Sequence, residues 1–127
     1  MRKLYNYLFC KEMTPRFKLD DTVKVKNGVI AEDFDIDLSG RVGRISGWET
    51  EDLEEPLYYV NWDSVTLNEL DLDSIRFHEE NGVDWDFSCL YESELESIKS
   101  RDTPTDVESA IKIIHDKIKK QNNRVHR

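Results

Sequence analysis

The chain has 127 residues, of which 38% are hydrophobic and 35% charged, with a formal net charge of −9. That length suits one domain, and three Trp, five Tyr and five Phe are enough to seed a small core, which argues against a disordered acidic polymer. Between Asp20 and Lys99 stand 22 acidic and 6 basic residues while both ends are basic; such a body repels phosphate backbones and favours cations or basic proteins, so no nucleic acid is expected at the central region.

The chain opens with "MRKLYNYLFCKEM", whose apolar run from Leu4 to Cys10 is too short and too aromatic for a secretory signal. No stretch approaches the ~20 apolar residues of a membrane span. Two cysteines, Cys10 and Cys89, do not suggest a secreted disulfide framework. A cytoplasmic protein that does not enter membranes is the expectation.

"DTVKVKNGVI" alternates Val23 and Val25 with lysines and then reaches Asn27-Gly28, a strand followed by a turn. "AEDFDIDLSG" follows, with Glu32, Asp33, Asp35 and Asp37 interleaved with Phe34, Ile36 and Leu38. Two readings stay open: a charged edge strand with its apolar side on the core, or a curled loop that gathers carboxylates. In "GRVGRISGW" the glycines suit a bent or bulged strand.

"ETEDLEEP" reads as an exposed acidic loop, and "LYYVNW" running into "DSVTL" as two strands or one bent strand. Asp63 there either caps a turn through its side chain or offers a carboxylate to the neighbouring acids. "DLDSIRFHEENG" marks a short helix, with Asp71 or Asp73 as N-cap and Gly82 beyond its end. "DFSCLYESEL" is a closing strand with Cys89 and Tyr91 on one face and Leu90 on the other.

The last segment is the clearest helix. Thr105 and Glu108 have capping-box spacing, and Val107, Ala110, Ile111, Ile114 and Ile118 form one apolar stripe. These elements predict a mainly β fold: a small five-stranded Src-homology-3-like barrel, with a short helix before the last strand and a C-terminal amphipathic helix. The organisation reads as a basic segment at 1–17, an acidic β-barrel domain at 18–100, and a helix with a basic tail at 101–127.

The residues carry no signature of catalysis. No phosphate-binding glycine loop is present, the three histidines are scattered, and Cys89 lacks a nucleophile's constellation. Zinc is disfavoured because Cys and His do not cluster; oxygen ligands favour calcium, magnesium or manganese. "DFDIDLSGRVGR" fails as an EF-hand, having Leu38 where glycine is required and Arg44 where the bidentate glutamate belongs. On a straight strand alternate carboxylates step by about 6.6 Å, too far apart for one ion with ligands at about 2.4 Å. Chelation therefore requires the chain to curl.

Taken in order, "VKVKNGV", "DFDIDLSGRVGRIS", "VNWDSVTL" and "ENGVDW" resemble the small acidic calcium-binding proteins first known from cyanobacteria, the CcbP family. The resemblance spans roughly residues 18 to 96. It implies a compact Src-homology-3-like domain that binds calcium through clustered surface carboxylates, here Asp33, Asp35, Asp37 and Asp63; Glu32 and Glu49 are candidates for further ligands beside that set. Arg41 departs from the family pattern by standing where an aromatic residue is expected. The resulting expectation is a non-catalytic calcium buffer or sensor. Its alternative is an acidic small-barrel interaction module without metal, docking a basic protein or self-associating through the C-terminal helix.

Overall fold

A computed structural model describes residues 13–31 and 34–125, with side chains as far as Asn122. Strand β1 (Thr22–Val25) buries Val23 and Val25 and leaves the intervening Lys24 half-exposed, as its alternation requires. Strands β2 (Ile30–Ala31) and β3 (Ile36–Asp37) form a small antiparallel hairpin. Strand β4 (Val42–Glu49) and strand β5 (Leu57–Trp62) follow as the longest pair. Helices α1 (Ser64–Glu69) and α2 (Leu72–Glu80) precede strand β6 (Phe87–Tyr91). A 3₁₀ turn (Glu92–Glu94), strand β7 (Leu95–Ser97) and helix α3 (Pro104–Val125) complete the order.

Five strands pair antiparallel in the order β6-β5-β4-β1-β7, and β2–β3 stands apart from them. The five-stranded antiparallel sheet and the C-terminal helix meet the sequence expectation. The sheet is open, however, because β6 and β7 lie at its two edges without pairing to each other. The bend in β4 is where the glycines placed it: the register with β5 shifts between Ile45 and Gly47. Gly43 is required by contact, since a Cβ there would meet the Asn61 carbonyl oxygen at 2.3 Å.

Two expectations need correction. "DSVTL" is helical, not extended: Asp63 Oδ1 accepts from Thr66 N at 2.8 Å and starts α1. The Thr66 hydroxyl then accepts from Val42 N and Arg101, contacts that outweigh the β preference of Val65 and Thr66. At α3 the cap falls two residues earlier than Thr105. Thr103 N donates to Asp106 and Asp106 N donates to the Thr103 hydroxyl, with Pro104 as the first helical residue. Helix α2 is N-capped by Asp71 and C-capped by Asn81, with Gly82 at φ +68° beyond it, as read from the sequence.

The core is continuous from sheet to helices. Trp62, Tyr58, Ile45 and Leu90 pack with Leu67 of α1, Ile75 of α2, and Ala110, Ile114 and Ile118 of α3. The apolar stripe of α3 is thus turned inward. No helix among the described residues is long and apolar enough to cross a membrane.

Candidate functional site

The described part of the acidic stretch lies on a hairpin: Ile30 pairs with Asp37 and Ala31 with Ile36, so the chain turns back between Ala31 and Ile36. Asp35 takes φ +53° in that turn, a left-handed conformation that aspartate tolerates better than most residues. Leu38 is buried, Phe34 and Ile36 are half-buried, and Phe34 meets Phe77 of α2 edge-to-face at 5.3 Å. Apolar residues on one side and acids on the other match the edge-strand pattern, folded back on itself.

Among the described residues no three acidic, histidine or cysteine side chains gather to hold a metal ion. Asp35 and Asp37 are exposed at the hairpin. Asp37 Oδ1 accepts from Ser39 N at 2.9 Å, and its bonds to Ser39, with the charge of Arg41, hold its carboxyl below the usual range. Glu49 accepts from the Tyr59 hydroxyl, which pushes that phenol up to about 12. Glu32 and Asp33 lie outside the described residues.

Asp63 has a different task. It is 1% exposed, and besides capping α1 it takes Arg101 in a two-pronged pair, Nε to Oδ2 at 2.9 Å and Nη2 to Oδ1 at 2.8 Å. Asp102 beside it pairs with Arg44 of β4 and accepts from Ser64 N at 2.7 Å. Burial pushes the Asp102 carboxyl up, but the Ser64 bonds and Arg44 together bring it below its ordinary value. These pairs clamp the segment before α3 onto the junction of β5 and α1. Both Asp63 oxygens are thus occupied by bonds from Thr66 and Arg101, and Glu49 is engaged by a tyrosine.

The feature that sequence reading missed is a groove of about 630 Å³ between the β2–β3 hairpin and β6. Val29, Ile30 and Ile36 form one wall, and Phe87, Cys89 and Tyr91 the other. Ile30 and Tyr91, which both line the groove, are 51% and 41% exposed. Arg41 projects into the groove with its guanidinium 5.4 Å from the centre of the Trp62 ring. Burial draws that guanidinium below its ordinary value, opposed by the charge of Asp37. It makes no hydrogen bond or ion pair within 4 Å among the described residues. The Cys89 thiol is pushed up, first by desolvation and then by the charge of Glu49, so it is a poor nucleophile.

The hairpin and the sheet order that build the groove's walls depend on strand pairing that no local sequence pattern encodes. Comparison with protein-family models, with curated proteins and with solved structures found no match to this chain. The functional reading therefore rests on the groove and its residues.

Proposed function

We propose that the chain is a non-catalytic binding module whose groove holds a segment of a partner protein. The observation that carries this reading is a groove of mixed apolar and polar lining, in which the half-buried Arg41 guanidinium has no hydrogen bond or ion pair among the described residues. Ile30, Ile36, Phe87 and Tyr91 offer apolar contact in the groove, and Arg41 offers a placed polar group. A half-buried cation resting on a ring gains from a ligand carboxylate that pairs with it. The order β7-β1-β4-β5-β6, with the hairpin between β1 and β4 and a 3₁₀ turn between β6 and β7, supports reading the domain as an opened Src-homology-3-like barrel. On that reading α1 and α2 are an insertion between β5 and β6.

The test is selection of a displayed random-dodecapeptide library on the full chain. Binders should lose affinity when Cys89→Arg narrows the groove at an exposed position. Binders indifferent to that change would move the surface elsewhere.

The calcium reading has one observation in its favour, the hairpin that sets exposed Asp35 in its turn and exposed Asp37 two residues on in β3. Calorimetric titration with calcium at physiological salt and excess magnesium tests it. The triple change Asp33→Asn, Asp35→Asn and Asp37→Asn should abolish any heat observed. Absence of heat in the unaltered chain would remove calcium from the account.

A further inference from the structure

Among the described residues strand β6 is bonded to β5 on one side only. The direction of its backbone groups follows from two bonds at its ends: Trp62 N donates to Asp86 O, and Glu92 N donates to Pro56 O, each at 3.0 Å. Backbone polar groups alternate along a strand. Residues 86, 88, 90 and 92 therefore face β5, while Phe87, Cys89 and Tyr91 turn their N–H and C=O outward to the groove. The Tyr91 N–H is already taken, donating to Glu94 Oε1 at 2.8 Å. The outward groups of Phe87 and Cys89 have no partner among the described residues.

A row of free backbone groups is a template for one more strand. Across the groove the hairpin presents Ile30 and Ile36, apolar and partly exposed, as a second wall for that strand's side chains. Trp62 is bonded to the residue before β6, so Arg41 over its ring lies toward the Phe87 end. Glu94 closes the edge at the other end. Asp84 and Glu94 also line the groove, and the molecule as a whole carries −9.

Resting on the binding-module reading, we propose that the partner segment adds as an extended strand to the free edge of β6 and sets one inward-facing Asp or Glu on Arg41. Its main chain bonds to Phe87 and Cys89. Its other inward side chains are apolar and meet Ile30 and Ile36, and its outward ones are neutral or basic. The single inward acid answers Arg41, the one Lys or Arg among the described residues that line the groove, and the outward basic character answers the acidic body. Glu94 limits the added strand to a few residues.

The probe is a dodecapeptide selected from the displayed library and then synthesised with one N-methyl group at each position in turn. Strand addition makes alternate positions sensitive, because only every second peptide N–H faces β6, and leaves the protein unaltered. Replacing the peptide's acid by its amide, or Arg41→Gln in the protein, each lowers affinity about tenfold or more, and combining them adds little further. In the free chain the Phe87 and Cys89 amides exchange rapidly, and the bound peptide protects them. Binding in the groove that ignores N-methylation and the Arg41 change would overturn strand addition while leaving the binding module standing. Failure to select any peptide, or perturbation mapping outside the groove, would overturn both.

Discussion

Removing the Asp63 carboxylate is the most direct perturbation of the frame that holds the groove. In Asp63→Ala, α1 loses its N-cap, worth about 1 kcal/mol. The two charged bonds to Arg101 are lost as well, worth about 1–2 kcal/mol together because the Arg101 side chain is 32% exposed and regains water. The sum is about 2–3 kcal/mol. At about 4 °C per kcal/mol for a chain of this size, the melting temperature should fall by about 8–12 °C. Arg101→Ala should cost about 2 kcal/mol, since it leaves a buried carboxylate short of its partner. Urea titrations of both single variants and the double variant close a cycle with a coupling of about 1 kcal/mol or more. The Asp63→Ala loss should be the same in calcium and in chelator. Additive losses would refute the ion pair, and a loss that appears only with calcium would return Asp63 to a ligand's role.

Further changes test other parts of the structure. Thr103→Ala should lower stability by about 1 kcal/mol in denaturant melts while Thr105→Ala is within about 0.5 kcal/mol of neutral; the reverse order would put the α3 cap where the sequence spacing placed it. Gly43→Ala should cost about 3 kcal/mol or more, because its Cβ meets the Asn61 backbone at 2.3 Å and neither strand can yield freely. Tyr59 should ionise at about 12 in an absorbance titration, and Glu49→Gln should bring it toward the ordinary 10. Asp102, with a carboxyl held below its ordinary 3.8 in the folded chain, contributes stability above that value and loses it as pH falls through the lower folded value. Asp102→Asn should accordingly flatten the acid limb of the stability profile.

Periodicity was the legible part of this chain. Val23 and Val25 in β1, Leu90 against Cys89 and Tyr91 in β6, and the stripe from Val107 to Ile118 each follow from a period of two or 3.6. The helix from Leu72 was legible from Asp71 and Gly82. What escaped depends on partners far along the chain. Helix α1 looks extended in Val65 and Thr66 until Arg101, 35 positions from Thr66, reaches its hydroxyl. Asp63 resembles a free surface acid until Arg101, 38 positions away, occupies it. Arg41 rests on Trp62 because Gly43 pairs with Trp62 in the β4–β5 register, a relation no local pattern encodes. The open edge of β6 is likewise a property of strand order.

The central claim is that the groove between the β2–β3 hairpin and β6 is where this protein binds. Amide shift mapping of the ¹⁵N-labelled full chain, titrated with a library-selected dodecapeptide, tests it most directly. The account predicts perturbations at Phe87, Cys89 and the groove-lining hairpin residues Val29, Ile30, Phe34 and Ile36, with the Arg41 side-chain signal moving as well. Perturbations confined to the 49–55 loop or to α3, with β6 silent, would contradict it.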